Sequence, residues 1–99
     1  MPKYVVSRFA QSDMRGIARY TVEKWSANQA VHYVSDMRSC FQLLADSPGI
    51  GRACESIDKG LHRYECGKHV VFYRLRPDGI RVVRVLHQQM IPVKTRFDR

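Results

Sequence analysis

Ninety-nine residues suffice for one hydrophobic core and not two, and a 44% hydrophobic share belongs to a folded chain rather than a disordered one. The formal net charge of +8 is uneven: residues 1–50 hold six Lys and Arg against four Asp and Glu, residues 51–99 eleven against five. Such a balance suits a polyanionic partner, nucleic acid or an acidic protein segment, while the lack of any run of about eighteen apolar residues excludes a membrane-spanning helix.

The opening MPKYVVSRFAQSD meets Arg8 and Asp13 too early for the apolar stretch of a signal peptide, so the expected location is the cytoplasm. Within it, residues 3–7 (KYVVS) have the β-branched content of a short strand. From about Phe9 to Trp25 the apolar positions take helical spacing, with Met14, Ile17, Ala18, Thr21 and Trp25 on one stripe. Ser26 is placed to cap a second helix, because its hydroxyl can accept from the free amides of a first turn. Ala30, Tyr33, Val34, Met37, Phe41 and Leu44 mark that helix's stripe, which must stop before Pro48. A linker of a residue or two folds the helices back on each other, and both stripes then need a sheet to cover.

The remainder supplies that sheet. Residues 49–60 (GIGRACESIDKG) hold three glycines and no periodicity, so they read as a loop. Residues 61–66, 68–76 and 80–87 read as strands, and Pro77-Asp78-Gly79 is a hairpin turn between the last two. The expected fold is a single α+β domain over residues 1–99, in the order β-α-α-β-β-β. It is an antiparallel β-sheet with an N-terminal helical hairpin packed on one face. The tail PVKTRFDR reads as a loose end or short turn.

Cys40, Cys54 and Cys66 are odd in number and form no Cys-x-x-Cys pair, which in a cytosolic chain reads as reduced thiols. His62, Cys66 and His69 come closest to a metal cluster, and their loose placement on strands makes a poor zinc site. No metal or cofactor is expected.

Several stretches together resemble the ParE toxins of the ParE/RelE superfamily. They are IARYTVEKW at 17–25, PGIGR at 48–52, GL at 60–61, GKHVVFYR at 67–74 and VVRVLH at 82–87. The resemblance runs over almost the whole chain and carries most in the order and spacing of its pieces. It implies the toxin of a bacterial type II toxin–antitoxin module. Such a toxin inhibits DNA gyrase, arrests growth, and is neutralised by a tightly bound ParD-like antitoxin with an acidic C-terminal part. It implies no membrane partner and no sequence-specific DNA binding by the toxin alone.

The RelE branch of the superfamily cleaves messenger RNA on the ribosome, chemistry that needs a base, an acid and cations for the developing phosphorane charge. Arg63 is the one residue matching a strand lysine of such nucleases. Glu65 falls on the same face where a second cation is wanted, His69 and Val70 stand where an arginine is usual, and Gln88 and Gln89 follow the last strand in place of a base. His87 alone is not enough, so no catalytic residue is assigned and the chain is not expected to be an enzyme. RelE-like ribonuclease activity remains the alternative, with a third reading in which toxicity is lost and only partner binding survives.

The strand charges are mostly arginine, whose planar fork suits carboxylates and phosphates. The competing reading, scattered surface charge that contributes little, stays open. As antitoxin contacts the candidates are Trp25, Tyr33, Phe41, Arg63, Arg74 and Arg76, the aromatics as anchors for an amphipathic helix although each also fits a core. The resemblance points for target contact to the sheet and C-terminal region, hence Arg81, Arg84, His87 and Gln89. Tyr73 reads as core and His32 as surface.

Overall fold

A computed structural model of the chain describes residues 2–89. Its elements are β1 (Lys3–Val6), α1 (Arg8–Lys24), α2 (Ala27–Asp46), a 3-10 turn (Pro48–Ile50), β2 (Arg52–Ala53), β3 (His62–Cys66), β4 (His69–Arg76) and β5 (Gly79–His87). The segment PVKTRFDR lies outside the described residues. The α+β class, the helical hairpin and the three C-terminal strands follow the periodicities read above.

Two features differ from expectation. The sheet is mixed, with five strands in the order β1-β5-β4-β3-β2 and β1 running parallel to β5. A parallel partner for β1 is possible because the helical hairpin returns the chain as a long crossover. The short β2 pairs with β3 inside what read as a plain loop, Arg52 facing Arg63 and Ala53 facing His62.

Local chemistry sets the joints. Ser7 leaves β1 with its amide on the Val82 carbonyl, donates its hydroxyl to the Val83 carbonyl, and accepts from the Ala10 amide as the α1 cap. Ser26 caps α2 in the same way, accepting from the Gln29 amide at 3.0 Å. Gly79, at φ +147°, is the position where β5 meets β1, and a Cβ there would run into the Lys3 backbone.

The helices cover one sheet face. Ala10 and Ile17 of α1 and Met37, Phe41, Leu44 and Ala45 of α2 meet Val71, Tyr73, Ile80, Val82 and Val85. Tyr73 is fully buried and donates its hydroxyl to the Pro48 carbonyl at 2.7 Å, so it is core as expected. The opposite face, here the back face, has a smaller cluster. Val70, Phe72, Val83 and Leu86 are closed over by Cys54 and Leu61 from the β2–β3 connection.

Between the two faces β5 is irregular. Phe72 pairs with Arg84 and Tyr73 with Val82, which leaves Val83 as an extra residue in a β-bulge. Past Val82, where its pairing with β1 ends, β5 turns to α1 instead, and the Asp13 carboxylate accepts from the Val85 amide at 2.9 Å.

The sulfurs of Cys40 on α2 and Cys66 at the end of β3 are bonded to each other, and Cys54 stays free and buried. This corrects the expectation of three reduced thiols. No described helix is long and apolar enough to cross a membrane.

Candidate functional site

Small residues open a groove between the helices. Ala18 on α1 and Ala27 and Ala30 on α2 let the helix walls recede, leaving a space of about 770 Å³ also lined by Tyr4, Val22, Val31 and Val34. A second space, lined by Met14, Val6 and Phe41, shares Tyr4, Ala18, Val34 and Arg38 with it and continues it toward the sheet. Val31 in the groove lining is 67% exposed, and Trp25, at the C-cap of α1, is 65% exposed. Arg15 and Arg38 border the channel. An exposed apolar strip beside cations is the form that receives an amphipathic, acidic segment.

At the end of the sheet where β3 turns into β4, three polar side chains meet. The Tyr33 hydroxyl lies 2.6 Å from His69 Nδ1 and accepts from the Lys68 amide at 3.2 Å. The Lys68 amide is the donor to the hydroxyl, and the hydroxyl and Nδ1 share a second hydrogen bond whose direction follows the His69 tautomer. His87 faces His69 across the strands, the rings 5.4 Å apart and edge-on, and its Nδ1 accepts from the Gln89 amide at 3.2 Å. His87 is thus a hydrogen-bonded strand-end histidine, as read from the sequence. Burial lowers the His69 pKa from its ordinary value, His87 lowers it further, and Asp13 works against both. Burial also raises the Tyr33 pKa, against the pull of the Lys68 amide bond.

Two imidazoles and a phenol could exchange protons, but phosphoryl chemistry also needs cations aimed at the same point. The guanidinium on this face is spoken for. Arg84 donates from Nε and Nη2 to the two Asp13 oxygens at 2.7 and 2.9 Å, with both side chains largely buried, and it lies over the Phe9 ring.

Most of the strand arginines lie on the other face. Strand pairing sets Arg52 against Arg63, Arg63 against Phe72 and Arg74 against Arg81, so the pleat brings all four to the back face with Arg76. Arg63 lies 5.8 Å over the Phe72 ring. Arg74 is held at 2.6 Å by both the Asp58 carboxylate and the Lys59 carbonyl, whereas Arg52 and Arg76 reach only exposed carboxylates, Glu65 and Asp78, at 3.4 Å.

The sequence candidates regroup accordingly. Trp25 is exposed at the C-cap of α1 and Tyr33 is half-buried in the histidine cluster, while Phe41 is 1% exposed. Phe41 is therefore core, and its selection as an anchor is corrected: the apolar stripe of α2 turns it under the helix. Arg63, Arg74, Arg76 and Arg81 share a face, Arg84 pairs with Phe72 and extends its guanidinium to Asp13 of α1, His87 lies on the helix side with His69, and Gln89 is exposed just past β5. His32 is exposed as expected. Asp13, Val31 and the Cys40–Cys66 bond were not foreseen.

The profile of the family described as "ParE toxin of type II toxin-antitoxin system, parDE" matches residues 4–92. Toxin ParE1 of Caulobacter vibrioides is 38% identical over 92 residues, covering 91% of this chain and 93% of that protein. Toxin ParE1 of Mycobacterium tuberculosis is 38% identical over 89 residues, covering 89% and 91%, and Toxin ParE of Escherichia coli is 31% identical over 91 residues, covering 91% and 88%. A solved structure of the chromosomal ParDE TA system from P. aeruginosa superposes with a TM-score of 0.75 at 18% identity, over 88% of this chain and 96% of that one.

Proposed function

The chain belongs to the ParE toxin family of type II toxin–antitoxin systems, and we propose that it works without catalysis, by docking on DNA gyrase until a ParD-like antitoxin covers it. The observation that carries the reading is the apolar groove between α1 and α2, lined by Val22, Val34 and the exposed Val31. An antitoxin helix would bury that strip, and the acidic part of the same partner would meet the arginines of the back face. The gyrase half rests on family membership and on where the charge lies: cations gather on the back face, away from the histidines, which suits gripping a macromolecule more than cutting a phosphodiester. The expected cellular setting is the cytoplasm.

A ribonuclease reading is favoured by one specific feature, the His69–His87–Tyr33 cluster. The test separates the two. Purified chain is expected to block gyrase supercoiling, and added cognate antitoxin to restore it. Val31→Asp is expected to inhibit gyrase equally while needing at least tenfold more antitoxin for relief, since a charge in the groove is desolvated on binding. Messenger cleavage on translating ribosomes with DNA topology unchanged would reject gyrase docking in favour of nuclease action.

A further inference from the structure

Cys40 lies inside the helix-face core, 9% exposed, whereas Cys66 is half-buried at the end of β3, one residue before Gly67. Their Cα atoms are 6.8 Å apart and 26 residues separate them in sequence, so their bond staples α2 to a strand that folds up after it. The same place is held by weaker ties. Tyr33, two helical turns before Cys40, holds the Lys68 amide and His69 Nδ1, and the Lys68 carbonyl in turn accepts from the Gln88 amide at 3.0 Å. Gly67 turns with φ +58°, and a Cβ on it would come within 3.0 Å of the Tyr33 hydroxyl. One covalent bond and two hydrogen bonds thus clamp α2 to the β3–β4 turn, and that turn holds the chain leaving β5.

We propose that Cys40 and Cys66 form a reversible thiol–disulfide site, closed by exchange with a low-molecular-weight disulfide such as glutathione disulfide, that sets how firmly α2 grips the β3–β4 turn. The half-exposed Cys66 reacts first. Its thiolate attacks one sulfur of glutathione disulfide, forming a mixed disulfide and expelling one glutathione thiolate. The Cys40 thiolate then attacks the Cys66 sulfur and expels the second. Two protein thiols give up two protons and two electrons, and one glutathione disulfide takes them up to become two glutathione molecules. Opening reverses the steps, with glutathione attacking at Cys66 because Cys40 is shielded. Cys54 takes no part: it is buried beneath the back-face cluster, and burial raises its thiol pKa.

The full-length chain is equilibrated over a series of glutathione to glutathione disulfide ratios, quenched in acid, alkylated with iodoacetamide after denaturation, and weighed. The expected result is one adduct per chain at the oxidising end and three at the reducing end. Tm should fall by roughly 10 °C in step, because opening the staple frees the unfolded chain. Amide exchange at Lys68 and Gln88 should accelerate on the same transition. Cys54→Ser should keep the transition, and Cys66→Ser should show the reduced Tm at every ratio. Three adducts at every ratio, one adduct at every ratio, or a thiol count that changes without any change in Tm or in amide exchange would each overturn the proposal; the first two need no variant to fold.

Discussion

The two faces of the sheet handle charge in opposite ways. Beside α1, Arg84 is locked to Asp13 by two hydrogen bonds, and the same carboxylate takes the Val85 amide. On the back face, Arg52, Arg63, Arg74, Arg76 and Arg81 lie on neighbouring strands, and Arg74 is held by a largely buried carboxylate while Arg52 and Arg76 reach exposed ones. The helix face therefore spends its polar groups on holding elements together. The back face carries surplus charge on a surface whose packing comes from Phe72, Leu61 and Val83. Stability and docking are thus divided between sides of one sheet, and substitutions can test that division.

The largest effect is expected from Phe41→Ala. Phe41 fills the centre of the helix-face core and meets Tyr4 edge-on at 5.4 Å. Truncation should cost roughly 4 kcal/mol through lost transfer energy and a cavity that rigid strands cannot close. Urea unfolding read by circular dichroism would show it as a lowered midpoint at constant slope. A loss under about 1 kcal/mol would mean the helix face is not the main source of stability.

Asp13→Ala comes next, at about 3 kcal/mol, because it takes the carboxylate from the Arg84 guanidinium and the Val85 amide together. The double variant with Arg84→Met sharpens the point. Removing both charges should recover most of that loss, since an unpaired buried charge costs more than a missing pair. Equal losses in the single and double variants would show that the carboxylate matters mainly for the backbone amide.

How far the sequence foretold these sides depends on which signals are local. The helices and three C-terminal strands follow from periodicity and from Ser26, Pro48 and the Pro77-Asp78-Gly79 turn, each a cue within a few residues. The parallel β1–β5 pairing joins residues about 76 apart, and no cue in KYVVS names its neighbour. Arg84, read with Arg81, His87 and Gln89 as a target contact, is tied to Asp13, 71 residues away, a pairing that no local cue announces. Trp25 continues the α1 stripe on paper but is the C-cap, with φ −124° and ψ −82°, and so swings off the helix into solvent. The Cys40–Cys66 pair joins a helix to a strand, a geometry with no spacing signature.

A smaller effect distinguishes the histidine cluster from its surroundings. The His69 pKa is lowered in the folded chain, chiefly by burial, from an ordinary value of 6.5. The unfolded chain then binds the proton more readily, so the stability tied to neutral His69 is present above about pH 6.5 and is lost as pH falls through the folded pKa. Protonation would also make Nδ1 a donor toward the Tyr33 hydroxyl. The difference in Tm between wild type and His69→Gln should therefore shrink between about pH 7.5 and about pH 5. A difference constant with pH would show that His69 is already equally protonated in both states.

The smallest expected effect on stability belongs to the back face. Arg52 and Arg76 make long ion pairs on exposed side chains, and such pairs rarely contribute more than a fraction of a kcal/mol. Arg52→Ala combined with Arg76→Ala should therefore shift Tm by no more than about 2 °C. If this face grips an acidic segment, the same change should weaken antitoxin binding by roughly tenfold at low salt and by less at high salt, because screening already blunts exposed charge there. Calorimetric titration at two ionic strengths reads both quantities. A large drop in Tm with unchanged binding would move these arginines to the structural side of the sheet and leave the groove between α1 and α2 as the docking surface.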